Sequence, residues 1–264
     1  MNDAILFAVD GGLARLTLNR PARLNAFNAD LAHAWRDATA EVTSRSDVKA
    51  ILIDAAGPAF CAGGDVIDMA TTMGSADDIT ALAEVINSGI RSLTESTLPV
   101  VAAAHGTTAG GGLGILLSSD YAVVGSRSRL GSLYANIGLT PDLSVSAQLA
   151  RAVGQRRALQ LVLQDRLLSA AEAVEWGLVA EAVEGADSAG EADLVRARAE
   201  EVARFWLAGA AEAYGNAKRL VRSQPERTFV EQLSEEARSI GAAMATPDAQ
   251  ARIAAFAAAS ARTR

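Results

Sequence analysis

Two segments of this 264-residue chain set bare backbone directly after a buried apolar run. Phe60-Cys61-Ala62-Gly63-Gly64-Asp65 follows the run at 48–55, and Ala109-Gly110-Gly111-Gly112-Leu113-Gly114 follows the run at 99–104. Glycine admits positive φ and lets another group approach the main chain closely. The second segment also opens an apolar helix over 110–118, whose first N–H groups lack partners and carry the positive end of the helix dipole. Donors of that kind stabilise an anion, or an oxyanion that develops during a reaction. A tight turn that merely packs a helix on a sheet is the plain alternative. Nucleotide-binding motifs do not fit: Gly112-Leu113-Gly114 runs on into Ile115-Leu116-Leu117, so Gly-x-Gly-x-x-Gly is absent, as is Gly-Lys-Ser/Thr. Asp65 reads most simply as a carboxylate satisfied by loop N–H groups.

The rest of the chain has to position these loops. With 24 basic and 31 acidic residues the net charge is −7, half of the residues are apolar and 21% are charged, so the chain can bury a real core. The single Cys61 cannot form an internal disulfide, and with only His33 and His105 beside it there is no Cys/His zinc cluster; no metal is expected. A Ser-His-Asp triad would have to use one of those histidines. The acidic balance argues against nucleic acid. No apolar run reaches the roughly 18 residues of a membrane span, and Met1-Asn2-Asp3-Ala4 does not open a signal peptide. A cytoplasmic protein is expected.

Residues 4–9 and 13–18 form a hairpin around Asp10-Gly11-Gly12, and Asn28 caps a helix running to Ser44. Strands at 48–55, 99–104, 121–124 and 178–183 alternate with helices at 77–94, 110–118, 142–153, 155–163 and 169–176. A linker at 184–190 leads into a nearly all-helical stretch. The expectation is an α/β core over 1–190 and a helical segment over 191–264.

Taken in order, several motifs resemble the crotonase, or enoyl-CoA hydratase/isomerase, superfamily. They are Leu18-Asn19-Arg20-Pro21 with Leu24-Asn25-Ala26, the two glycine segments, Ser119-Asp120, Gly138-Leu139-Thr140-Pro141-Asp142, Ala152-Val153-Gly154, and Ala170-Ala171-Glu172-Ala173 through Val179. The resemblance implies a right-handed spiral of ββα turns with a C-terminal helical segment that builds a homotrimer or a dimer of trimers. It implies a CoA thioester substrate, CoA being part of the substrate and no further cofactor being needed. It places the thioester oxygen on the N–H groups of Gly64 and Gly111, flanked by Asp65 and Gly110. Two such donors hold an enolate oxygen, each contributing about 3–4 kcal/mol. CoA falls near Ala22, Arg23, Leu24 and Ala26 and the backbone of Ala62, with Arg23 toward a phosphate and Arg262 toward the CoA of a neighbouring subunit.

The chain departs from the hydratase pattern. The two hydratase glutamates would fall at Gly114 and Tyr134, and neither is a carboxylate. What remains is Asp142, in a Gly-Leu-x-Pro-Asp pattern similar to the phenylacetate-pathway epoxide isomerase branch. Asp142 can cap the helix that follows, and in an apolar acyl pocket it can also carry a proton at raised pKa. One base suffices for a 1,3-proton shift, whereas hydration must also activate water. Tyr134 either fills the pocket or donates a hydrogen bond in it. In the aryl-CoA dehalogenase branch the Asp is helped by a His and a Trp, here Asn87 and Tyr134. His105 reads as structural, and Cys61 matches a common family residue. The expectation is an acyl-CoA isomerase that shifts a double bond or rearranges a ring epoxide. The alternatives are an enoyl-CoA hydratase with a relocated carboxylate, for which Asp68 or Glu84 are the candidates, and a non-catalytic acyl-CoA binding protein.

Overall fold

The computed structural model describes residues 3–72 and 75–262, without the side chain of Arg262. Strands β1 (Ile5–Asp10) and β2 (Leu13–Leu18) pair antiparallel around Gly11 and Gly12, both at positive φ as a two-residue hairpin turn requires. Asn28 accepts from the Leu31 N–H and caps α1 (Ala29–Ser44), which leads to β3 (Ala50–Ala55). Next come α2 (Val66–Thr71), α3 (Ala76–Glu95), β4 (Val100–Ala104), β5 (Thr107–Ala109) and α4 (Gly111–Leu117). The chain continues through β6 (Tyr121–Gly125), β7 (Arg129–Gly131), α5 (Val145–Val153), α6 (Gln155–Gln164), β8 (Leu167–Ser169), α7 (Ala170–Glu175) and β9 (Glu181–Val183). Four helices finish it: α8 (Ser188–Ala208), α9 (Ala211–Ser223), α10 (Phe229–Met244) and α11 (Pro247–Arg262).

Two sheets define the spiral. The larger has the order β1-β2-β3-β4-β6-β9 and is parallel from β2 onward; the smaller has the order β5-β7-β8. An isolated parallel bridge between Cys61 and Thr108 extends the smaller sheet by one turn. Each turn thus lays a strand in the large sheet, crosses to the small one, and returns through helix: β3, Cys61, then α2–α3; β4, β5, then α4; β6, β7, then α5–α6. Each glycine loop follows the small-sheet position of its turn, so the stacking of adjacent turns brings the loops together.

The central strands are apolar at successive positions because both faces are covered. Ile51, Ile53, Val100, Ala102 and Val124 face the core built with α1, where Phe27 and Trp35 meet edge to face at 6.3 Å. Ala50, Leu52, Val101, Ala103 and Val123 face Val195, Ala199, Val202 and Ala203 of α8. Helix α8 begins inside the expected 184–190 linker, capped by Asp187, and packs on the sheet. The first helix of the C-terminal stretch is therefore part of the core.

Candidate active site

The two glycine loops meet. A Cβ on Gly63 would stand 3.1 Å from the Ala109 carbonyl oxygen and 3.5 Å from the Gly111 nitrogen, and Gly63 lies at φ +112°. A Cβ on Gly112 would stand 2.2 Å from the Cys61 carbonyl oxygen. Glycine at 63 and 112 is therefore a condition of the loops touching. The first loop is further held by Phe27, whose N–H donates to the Gly63 carbonyl at 2.8 Å and whose carbonyl accepts from Asp65 N–H at 2.9 Å. Neither Gly64 N–H nor Gly111 N–H donates to an acceptor among the described residues. Gly111 opens α4, where helix geometry leaves the first N–H groups unpaired.

These donors border a cavity of about 520 Å³. Its floor includes Phe27, Gly63, Gly111 and Leu143; α3 supplies Ile79, Leu82, Ala83 and Ile86; the 133–143 segment supplies Leu133, Tyr134, Ile137, Leu139 and Asp142. A mostly apolar recess with a few convergent polar groups is the usual form of a small-molecule site. Of the residues expected to act, Ala62, Gly64, Gly110, Gly111, Tyr134 and Asp142 line it. Ala22, Arg23, Leu24 and Ala26 lie outside it, on the turn beside the first loop, and Asp65, at the end of that loop, lies outside it too. That turn is joined to the loop where Ala62 N–H donates to the Leu24 carbonyl at 3.0 Å.

Asp142 does not cap a helix. Helix α5 starts at Val145, its N-cap Ser144 makes no side-chain cap bond, and Leu143 and Ser144 both lie at positive φ. The chain turns too sharply there for the Asp142 side chain to reach the first helical N–H groups. The carboxylate turns to the cavity instead, and its Oδ1 accepts from the Tyr134 hydroxyl at 2.6 Å. Tyr134 therefore both fills the wall and donates. Burial raises the pKa of Asp142 above the ordinary carboxylate range, and the Tyr134 hydrogen bond pulls it back only in part. Burial beside this carboxylate likewise pushes the Tyr134 hydroxyl up, so it stays a donor.

The position of the first hydratase glutamate is closed. A Cβ on Gly114 would stand 2.2 Å from the Leu143 carbonyl oxygen and 3.0 Å from its Cβ. The backbone next to Asp142 occupies the space a side chain at 114 would need.

Asp65 is held by more than loop N–H groups. It accepts from Asp68 N–H at 3.2 Å as the cap of α2, from Arg20 at 3.2 Å, and from Arg23 at 3.1 and 3.3 Å. Burial acts to raise its pKa, but the Asp68 N–H and the two guanidinium groups outweigh that and lower it. Arg20 also donates to the Ala26 carbonyl. Arg23, expected toward a phosphate, is thus spent on Asp65 here, though its side chain stays 42% exposed. Sequence reasoning passed over Arg20, whose signal was its place in Leu18-Asn19-Arg20-Pro21. It also passed over Met69, whose Cε covers Gly64. His105 bonds to the Gly57 carbonyl at 2.7 Å and does not line the cavity. Cys61 is fully buried, and burial pushes its thiol up to about 12. Glu84 does line the cavity; Asp68 does not. The Arg262 side chain lies outside the described residues.

Residues 8–260 match the family described as Enoyl-CoA hydratase/isomerase, and the chain belongs to that family, the crotonase superfamily. Among its relatives, a trans-2-decenoyl-[acyl-carrier-protein] isomerase of Streptococcus mutans is 35% identical over 178 residues, 66% of this chain and 67% of the relative. A 1,2-epoxyphenylacetyl-CoA isomerase of Escherichia coli is 30% identical over 238 residues, 89% of this chain and 88% of the relative. A crystal structure of an enoyl-CoA hydratase of Mycobacterium smegmatis superposes with a TM-score of 0.85 at 25% identity, covering 96% of this chain and 95% of that one. Among the described residues no helix is long and apolar enough to cross a membrane.

Proposed function

We propose that the protein is an acyl-CoA isomerase acting through an enolate of its thioester. The observation that carries this reading is the Asp142 carboxylate, held by Tyr134 at 2.6 Å in the cavity bordered by the Gly64 and Gly111 N–H groups. Asp142 removes a proton from the carbon next to the thioester carbonyl, and charge moves to the oxygen, where the two N–H groups meet it. The same carboxyl returns the proton two carbons along, and the double bond shifts while Asp142 regains its starting charge. A ring-epoxide rearrangement would use the same oxyanion donors. No cofactor enters this step, CoA being part of the substrate.

Replacing Asp142 with Asn tests the role. The expected result is loss of isomerase turnover with acyl-CoA binding kept; unchanged turnover refutes the proton shuttle. One observation favours a second reading, hydration: Glu84 puts another carboxylate on the cavity lining. Loss of the conjugated absorbance of crotonyl-CoA separates the two, since an isomerase of this kind leaves that band at its background rate. Exposed apolar side chains on the last two helices, Phe229, Val230, Ile240 and Phe256, support assembly as a trimer or a dimer of trimers.

A further inference from the structure

The cavity carries charge of one sign only. Glu84 and Asp142 are its acidic lining residues, and no Lys, Arg or His lines it among the described residues. Asp142 has Tyr134 as a partner. Glu84 makes no ion pair or hydrogen bond among the described residues, unlike Asp10, Asp65, Glu172 and Glu181, each held by an arginine. It stands one helical turn after Thr80, on the flank of the apolar stripe formed by Ile79, Leu82, Ala83 and Ile86. Glu84 is exposed at the rim, whereas Gly63 and Gly111 are buried at the floor.

A free carboxylate on an apolar wall discriminates among ligands in a fixed direction. A neutral acyl group with a hydroxyl near it gives the carboxylate a donor in place of water. An acyl group ending in its own carboxylate is repelled, and no cation on the lining offsets that repulsion. We propose that Glu84 is a specificity-determining residue of this cavity. It selects acyl groups that are neutral and carry a hydrogen-bond donor beyond the reacting carbons, and it rejects acyl groups with an anionic end. This rests on the acyl-CoA reading above, but not on isomerisation.

Calorimetry with unreactive saturated thioesters tests it: hexanoyl-CoA, 6-hydroxyhexanoyl-CoA and adipoyl-CoA, on the wild-type protein and on Glu84→Gln and Glu84→Ala. The wild type is expected to bind adipoyl-CoA about tenfold more weakly than hexanoyl-CoA, with the gap narrowing as salt is raised. Glu84→Gln should close that gap to within about threefold. Glu84→Ala should in addition remove the advantage of the hydroxylated ligand, because the acceptor is gone. An unchanged adipoyl-to-hexanoyl ratio in Glu84→Gln, with hexanoyl-CoA still bound, overturns the role of Glu84 and leaves the acyl-CoA reading standing. Failure of all three thioesters to bind the wild type overturns both.

Discussion

Gly114 offers the most direct test of whether the 142–144 backbone closes the cavity wall to a side chain at this position. In Gly114→Ala the new Cβ would lie 2.2 Å from the Leu143 carbonyl oxygen, where ordinary contact begins at 3.4 Å, so Leu143 has to retreat by about 1.2 Å. Alanine in a helix gains roughly 0.5–1 kcal/mol over glycine. Overpacking a closed site costs roughly 1–3 kcal/mol. The balance is a loss of up to about 2.5 kcal/mol, or a fall in Tm of up to about 10 °C for a chain of this size. The displaced residue is the neighbour of Asp142, and a misplacement of about 1 Å in a catalytic group costs on the order of 100-fold in rate. Thermal unfolding by circular dichroism and isomerase turnover read the two effects separately. Gly114→Glu is expected to do worse on both and to gain no crotonyl-CoA hydration. A Gly114→Ala protein with unchanged Tm and unchanged turnover would refute the claim that the 142–144 backbone closes this position.

Other outcomes follow from the same geometry. In the proposed mechanism Asp142 has to be ionised to take a proton, so its raised pKa should place the acidic limb of kcat/KM above the usual carboxylate value of about 3.9. Tyr134→Phe removes the one side-chain bond that lowers that pKa, so the limb should move to higher pH; a limb that stays put argues against the coupling. Cys61, with its thiol pushed up to about 12, should resist a thiol reagent at pH 8 in the native protein and react only after denaturation. Asp65→Ala strips Arg20 and Arg23 of their shared partner and α2 of its cap, and should lower stability by about 1–3 kcal/mol in urea unfolding. The Asp65 pKa is depressed in the fold, so its contribution is present above the unfolded value of about 3.9 and is lost as pH falls through the lower folded value. Lys218→Met leaves the Leu98 carbonyl without its donor, leaves the Leu93 carbonyl only the Ser96 hydroxyl, and removes one partner of Asp120; it should cost about 2–4 kcal/mol by the same measurement.

The elements governed by local rules were legible in the chain. Asn28 and Gly11-Gly12 act where their side-chain chemistry and backbone freedom say they should, and the doubly covered strands read as unbroken apolar runs. That the two glycine loops are neighbours comes from the family resemblance and not from their spacing, because their contact depends on the stacking of spiral turns. Asp142 misled as a helix cap because its type fits a cap so well. Only the positive φ of Leu143 and Ser144, which neither residue type favours, turns it away. The Tyr134–Asp142 bond spans a loop of no fixed period, so no spacing rule anticipates it. Arg23 and Asp65 are likewise 42 residues apart and meet only after the turn at 20–26 packs on the first loop.

Helix α4 shows why the C-terminal segment cannot be separated from the cavity. Its first residue, Gly111, lines the cavity, and its last carbonyls are held from the other side. Arg222 of α9 donates to the carbonyls of Leu117 and Ser118 at 3.4 Å and of Ser119 at 2.5 Å, placing a cation at the negative end of the helix dipole. Asp120, just beyond α4, accepts from Arg222 at 2.9 Å and from Val100 N–H at 2.9 Å, and pairs with Lys218 at 3.1 Å. Lys218 in turn donates to the carbonyls of Leu93, in α3, and Leu98 at 2.6 Å each. One face of α9 thus ties together α4, whose Gly111 borders the cavity, and α3, which walls it. The last two helices, which do not pack on the sheet, present Phe229, Val230, Ile240 and Phe256 outward, and α8 and α9 add Phe205 and Val221. Assembly through α10 and α11 would then leave the Gly64 and Gly111 N–H groups where the single chain already holds them.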